Sequence, residues 1–220
     1  MIPGSIQAYE RFEDSLALSH TPLVLFWNTL VKAIGDCETG CLNHFTLLTH
    51  FKDVSEHWRA LSDYESVITK IVMCSFLKQT DFENQDDIEF DYLATYGFLM
   101  CPGTCQEKVE ILFHIVNSGG VSESTLVERQ DQYFPTIWRK MLKFCTVYLF
   151  EFAKHFAKIE NVFEPFMQTL YNVIEDFSDN SLEKEFQQQV FGEATELPYK
   201  VWCSRVVDRC SWICDPRLVR

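Results

Sequence analysis

Three side chains that carry oxygen donors occur at alternate positions of a polar segment, namely Asp81, Glu83 and Gln85. Calcium takes six to eight oxygen ligands. Twelve-residue calcium loops supply them from positions one, three and five, with a bidentate Glu at position twelve. Counted from Asp81, the twelfth residue is Tyr92, and Asp86 stands sixth, where such loops turn at a glycine. Three possible oxygen ligands are therefore present, but the bidentate Glu at position twelve is missing. The sequence predicts at most weak calcium binding here.

A second segment, residues 35–46, has the turn of a calcium loop without its ligands. Placing Leu42 eighth puts Gly40 sixth, where the chain must turn sharply. The ligand positions are then filled by Gly35, Cys37, Thr39 and Thr46. We expect no calcium in this loop.

Cysteines give a competing metal hypothesis. The pairs Cys37/Cys41, Cys101/Cys105 and Cys210/Cys214 are each spaced by four residues. A zinc site made by Cys203, Cys210 and Cys214 would need a fourth ligand that the sequence does not identify. Free cysteine is a common small core residue, which is the interpretation we favour. The odd total of nine cysteines and the absence of a signal-peptide pattern favour a reducing, cytoplasmic location.

Patterns of catalytic residues are missing. The six histidines form no H-E-x-x-H motif, and Ser118-Gly119-Gly120 lacks the lysine and the flanking strand of a phosphate loop. The sequence therefore predicts a protein that is not an enzyme. The remaining alternative of this class is an enzyme or zinc protein with an unrelated all-α fold.

Helical signals surround both loops. Apolar residues at helical spacing predict helices over 23–34, after Pro22, over 45–51 and over 68–76. A further helix contains Tyr92, Leu93, Tyr96, Phe98 and Leu99. Thr104 and Glu107 form a capping box that begins another helix.

The segment IEFDYLATYGFLMCPGTCQEKVEILFHIV resembles the junction between the second and third EF-hands of calcineurin B and the neuronal calcium sensors. The likeness is most specific over residues 64–128 and weaker over 21–58 and 160–200. It implies an all-α fold of two pairs of EF-hand helix-loop-helix units, with short β bridges between the loops. In this family the eighth loop residues pair, which implies Leu42 with Ile88 and Val121 with the region of Leu182.

The resemblance also implies two domains. Residues 1–108 would hold hands near 23–51 and 68–99, and residues 109–220 would hold hands near 105–130 and 163–190. The third loop, Asn117–Val121, is about three residues short of a calcium loop. The apolar stretch 136–160 is either the extended region between the last two hands or a single core helix. A last helix within 201–215 places Trp202, Val206 and Cys210 along one side.

Composition narrows the range of partners. A net charge of −13 argues against nucleic acid, which is bound through clustered Lys and Arg. No apolar run approaches the roughly 20 residues of a membrane span. The chain is 47% hydrophobic and contains nineteen Phe, which provides for a core and for an exposed apolar patch as well.

The resulting hypothesis is a non-catalytic, calcium-insensitive adaptor or regulatory subunit without a cofactor, which binds an amphipathic helix of a partner protein in an apolar groove. The candidates for groove or core are Phe26, Trp27, Phe45, Phe51, Ile71, Phe76, Phe90 and Phe98. The alternative is a calcium sensor with one weak site in the second or fourth hand. Similar EF-hand arrays occur in larger proteins with a TLDc or a ubiquitin-protease domain, so the chain is either a stand-alone relative or such a module.

Overall fold

The computed structural model describes residues 7, 11–37, 42–72, 87–117, 125–129, 137, 141 and 181–215 of the chain. These residues are mostly helical and include two short antiparallel sheets of two strands each. The predicted all-α class is confirmed at this level. The chain divides into two compact units, and among the described residues the boundary falls between Gly103 and Thr104.

The described residues of the first unit form five α-helices and two short strands, besides the 3-10 helices Ala17–His20 and Ala60–Ser62. They are α1 (Leu23–Gly35), β1 (Leu42–Asn43), α2 (His44–Phe51), α3 (Glu56–Arg59), α4 (Val67–Val72), β2 (Asp87–Ile88) and α5 (Phe90–Met100). Local sequence signals mark the starts of α1 and α2. Pro22 is the N-cap of α1, and the Asn43 side chain caps α2 by accepting a hydrogen bond of 2.9 Å from the Thr46 backbone N–H.

The two strands of this unit pair antiparallel, with Leu42 opposite Ile88 and Asn43 opposite Asp87. The predicted pairing of Leu42 with Ile88 is therefore confirmed. Both residues are buried, and in each case a helix begins two residues further on, at His44 and at Phe90. The same bridge thus fixes the starting points of α2 and α5.

An aromatic cluster forms the core of the first unit. The ring of Phe51 lies 4.5 Å from that of Trp58 and 5.5 Å from that of Phe26, measured between centroids. The indole N–H of Trp58 donates to Thr21 Oγ1 at 2.7 Å, so that its polar atom is satisfied in the core. Gly97 of α5 lies against Phe26, and this close approach lets α1 and α5 pack together.

The second unit contains α6 (Cys105–Val116), β3 (Leu126–Glu128), α7 (Ser181–Phe191), β4 (Glu196–Pro198), α8 (Tyr199–Arg209) and a 3-10 turn, Ser211–Cys214. The predicted capping box is confirmed, since the Thr104 hydroxyl accepts from the Glu107 backbone N–H while the Glu107 carboxylate accepts from the Thr104 backbone N–H at 2.7 Å. These hydrogen bonds to the Thr104 backbone and hydroxyl lower the pKa of Glu107.

The predicted second bridge is wrong. Val127, not Val121, pairs with Leu197, and Leu182 lies within the helix α7. Val121 itself lies outside the described residues. Phe186 and Val190 share one buried face of α7, which ends at Phe191. The described helix-strand-helix segment of this unit is 181–209, and most of the predicted hand near 163–190 lies outside the described residues.

Gly192 and Pro198 mark the end of one helix and the start of the next within the segment 192–200. Gly192 has a φ of 59°, the left-handed conformation that ends a helix at least cost in a glycine. Pro198 is the N-cap of α8. As in the first unit, the helix begins two residues after the paired residue, here Leu197.

Phe113 and Trp202 are the centre of the second core, with ring centroids 5.5 Å apart. The predicted last helix is confirmed as α8, and Trp202, Val206 and Cys210 are all buried. Of the predicted helical stretch 136–160, only Ile137 and Met141 belong to the described residues, and both are buried and helical. In the described parts of the chain, every helix is too short or too polar to cross a bilayer.

Candidate functional site

Loop 35–46 is closed by hydrogen bonds among its own side chains. Cys37 Sγ lies 3.7 Å from Thr46 Oγ1, and the Thr46 hydroxyl donates to Asn43 Oδ1 at 3.1 Å. The Asp36 carboxylate also has a partner, because it lies 3.2 Å from His50 Nε2. Two of the positions from which a calcium loop would offer side-chain oxygens, Cys37 and Thr46, therefore contact each other.

Loop 190–201 lacks ligands altogether. With Leu197 in the eighth position, the first, third, fifth and twelfth positions are held by Val190, Gly192, Ala194 and Val201. None of these residues has a side-chain oxygen. For a fourth hand, the sequence also offers Asp176 and Asp179 near the entry of a loop and Glu185 near its exit. Asp176 and Asp179 lie outside the described residues, and Glu185 lies within α7.

Three arginines surround the carboxyl end of α7. Arg205 Nη1 donates to the carbonyl oxygens of Val190 at 2.8 Å and Phe191 at 3.2 Å. Arg209 Nη1 donates to the carbonyl of Gln189 at 2.9 Å, and Arg129 Nη1 to that of Gly192 at 2.6 Å. The last carbonyls of a helix have no intrahelical donor and carry partial negative charge. We call this arrangement the arginine clamp (Arg129, Arg205 and Arg209), and it places positive charge of the chain itself at the start of the loop.

Arg205→Met should lower the free energy of unfolding of the second unit by about 1–3 kcal/mol, the usual range for a hydrogen bond to a charged donor. Methionine keeps the apolar stem but leaves the carbonyls of Val190 and Phe191 without this donor. Urea unfolding followed by circular dichroism measures the effect. The matched control is Lys184→Met, which removes an exposed positive charge from α7. Equal stability of the two variants would contradict the role of the clamp.

An apolar stripe runs along α1 beside its buried face. We define the α1 stripe as Val24, Trp27, Val31 and Ile34, which follow helical spacing. Val24 is 42% exposed and Val31 is 44% exposed, and Trp27 and Ile34 are partly exposed. The ring of Trp27 meets that of Phe90 edge-on, with the centroids 5.9 Å apart, so the stripe continues onto the start of α5.

The predicted groove residues separate into two groups. Phe26, Phe51 and Phe98 are fully buried and belong to the core of the first unit, so that a charge at Phe98 would test folding rather than partner binding. Trp27 and Phe90 meet at the surface, and Phe45 on α2 is 77% exposed. The remaining predicted site residues lie outside the described side chains: Ile71, Phe76, Asp81, Glu83 and Gln85.

Neither a metal cluster nor an activated nucleophile is found among the described residues. No three side chains of His, Cys, Asp or Glu in these ranges come together as metal ligands. An open cleft of about 530 Å³ between α6 and α8 is lined in part by Glu110, Lys200 and Cys203. Burial raises the pKa of Cys203 to about 11, so its thiol stays protonated at neutral pH and is a poor nucleophile.

The arginine clamp was not found by sequence reasoning. Arg205 and Arg209 stand four residues apart, which places them on one face of α8. That spacing was the available signal. Their partners are backbone carbonyls, however, and these could be recognised only after the end of α7 was known.

Comparison of the chain with protein-family models, with curated proteins and with solved structures finds no match.

Proposed function

We propose that this chain is a non-catalytic, EF-hand-like adaptor or regulatory subunit that binds a helix of a partner protein without needing calcium. The observation that carries the proposal is the bridge between Leu42 and Ile88, each of which is followed two residues later by the start of a helix. The loops of paired EF-hands are joined in this way. The bridge between Val127 and Leu197 supports the same arrangement in the second unit.

Independence from calcium is supported by what fills the loops. In loop 35–46, Cys37, Asn43 and Thr46 bond to one another, and in loop 190–201 no ligand position has a side-chain oxygen. A calcium sensor opens its helices when the ion binds. Without an ion, the described loops have no such trigger, and the protein would present its binding surface constantly.

A weak calcium site in the second loop is the competing function. It rests on the oxygen-bearing side chains of Asp81, Glu83 and Gln85 in the sequence. Tyr92 in the twelfth position belongs to α5 and has no carboxylate, so the bidentate anchor is replaced by a phenol. Without that anchor we expect no binding at micromolar calcium.

The α1 stripe and Phe90 form the proposed docking surface. An amphipathic helix inserts apolar residues at helical spacing into a surface of this kind. Since the chain carries a net charge of −13, a partner helix with Lys or Arg on its polar face is electrostatically favoured. The proposed partner segment is therefore a basic amphipathic helix.

The test is a titration of the full chain with a synthetic helix of about five turns that has Leu on one face and Lys on the other. We expect the same affinity in calcium and in chelator, and an affinity at least tenfold weaker for Trp27→Ser. Val201→Ser, which removes an apolar residue 39% exposed on α8, is the matched control and should bind like the original chain.

A calorimetric titration with calcium alone completes the test. Absence of heat up to millimolar calcium supports the calcium-independent adaptor. Micromolar binding would favour the sensor function instead. Peptide binding that is unchanged by Trp27→Ser would overturn the assignment of the α1 stripe, whatever the calcium result.

A further inference from the structure

Two thiols from distant parts of the sequence face each other in the second unit. Cys105 Sγ, in the first turn of α6, is 3.4 Å from Cys214 Sγ, at the end of the turn Ser211–Cys214. A disulfide needs the sulfurs at about 2.05 Å, so the two would have to approach by little more than an ångström. In the described residues this is a pair of free cysteines already in contact.

The backbone around this pair is held in place by a buried cation. Lys108, one turn after Cys105, is only 7% exposed, and its Nζ donates to the Cys214 carbonyl at 2.9 Å. Cys214 Sγ also lies 3.8 Å from the carbonyl of Cys105. The Lys108 hydrogen bond holds the turn against α6 without involving either sulfur, so that the two thiols remain close without a bond between them.

We propose that Cys105 and Cys214 are a reversible oxidation site that forms an intrachain disulfide with hydrogen peroxide. This proposal does not depend on the proposed function, since it concerns the second unit and no partner.

The reaction balances with peroxide as the oxidant. The partly exposed Cys105, after loss of its proton, attacks one peroxide oxygen. An S–O bond forms, the O–O bond breaks, and hydroxide leaves to be protonated to water. Cys214 then attacks the sulfur of this sulfenic acid, the S–S bond forms, the S–O bond breaks, and a second water leaves. The two thiols lose two electrons and two protons, and one peroxide becomes two waters.

The neighbouring Cys210 is less suited to the reaction. Cys210 donates to Gln189 Oε1 at 3.1 Å, and burial raises its pKa to about 11. Burial and the neighbouring Cys105 raise the pKa of Cys214 too. Cys214 therefore stays a thiol until the adjacent sulfur has been oxidised, which assigns the first step to Cys105.

The test treats the full chain with hydrogen peroxide, blocks the remaining thiols after unfolding, and maps tryptic peptides by mass spectrometry. A cross-link between residues 79–108 and 210–217, about 2 Da lighter than the separate peptides, is expected, and dithiothreitol should reverse it. Because each peptide contains two cysteines, variants assign the bond. Cys105→Ser and Cys214→Ser should lose the cross-link, while Cys101→Ser and Cys210→Ser should keep it.

A second measurement remains informative even if Cys214→Ser folds poorly. Closing a loop of about 110 residues restricts the unfolded chain, so the oxidised protein should melt about 5 °C or more above the reduced one. Cys105→Ser, at a partly exposed position, should fold normally and lose this shift. A cross-link that persists in Cys105→Ser, or a native protein that retains all nine thiols after peroxide treatment, would overturn the proposal.

Discussion

Replacement of Trp58 by alanine is expected to lower the free energy of unfolding of the first unit by about 3–5 kcal/mol. The indole is 1% exposed and packs against Phe51 and Phe26 at centroid distances of 4.5 Å and 6.2 Å. Its removal leaves a large cavity and deprives the buried Thr21 hydroxyl of the indole N–H donor. Urea unfolding followed by circular dichroism measures the loss.

Trp58→Phe separates the two contributions. Phenylalanine keeps a ring between Phe26 and Phe51 but has no N–H for Thr21, so we expect a smaller loss, mainly one hydrogen bond of about 1 kcal/mol. Equal losses for Trp58→Ala and Trp58→Phe would assign the effect to the hydrogen bond. A loss below about 1 kcal/mol in Trp58→Ala would contradict the cavity argument.

Gly97→Ala is expected to destabilise the same unit by about 1–3 kcal/mol, although alanine is the better helix former. A Cβ atom at Gly97 would lie 1.9 Å from Phe26 Cε1, so the two helices must separate or the ring must move. The ring of Phe26 has no free space, because it is fully buried beside Phe51 and Trp58. The measurement is again the urea midpoint of the first unit.

Gly35→Ala is the matched control for this substitution. Gly35 also lies in a helix, and a Cβ there would meet no atom within 4 Å. It should be neutral or slightly stabilising because alanine restricts the unfolded chain. In the double variant Phe26→Leu/Gly97→Ala, the smaller side chain should reduce the cost of the added methyl group. If Gly97→Ala is as stable as Gly35→Ala, the close packing of α1 and α5 is wrong.

The first unit followed the local patterns of its sequence. Apolar spacing, Pro22 before α1 and Asn43 before α2 specify these helices over short distances. The pairing of Leu42 with Ile88 is a long-range contact, and it was predicted from the resemblance to EF-hand proteins, in which the eighth loop residues pair. Where the local helix signals agree with the pairing that the resemblance implies, the sequence is sufficient to predict both the helices and the bridge.

The second unit did not follow its most visible local signal. The resemblance implied a short loop with its paired residue at Val121, yet the described strand lies later, at Leu126–Glu128. Its partner strand, Glu196–Pro198, is far away in sequence and contains one buried residue, Leu197. The alternation of exposed and buried side chains extends over only three residues in each strand. A pattern this short cannot be recognised in the sequence before the helices on either side are known.

The docking surface shows why aromatic spacing alone does not identify an interface. Phe98 and Phe90 both belong to α5, but all residues of this helix from Leu93 to Leu99 are buried. Helical periodicity therefore cannot assign a buried and an exposed side to it. The structure separates them, since Phe98 is fully buried while Trp27 and Phe90 are partly exposed and meet edge-on.

The arginine clamp has a consequence for how the second unit responds to its surroundings. By contrast, a metal ion held in a loop exchanges with solvent, and the fraction of occupied sites varies with the ion concentration and with chelators. Arg129, Arg205 and Arg209 are covalent parts of the chain, and a guanidinium group keeps its charge at any physiological pH. In every folded molecule these three side chains therefore place positive charge at the carbonyl end of α7. This charge does not depend on the concentration of any ion in the surrounding solution.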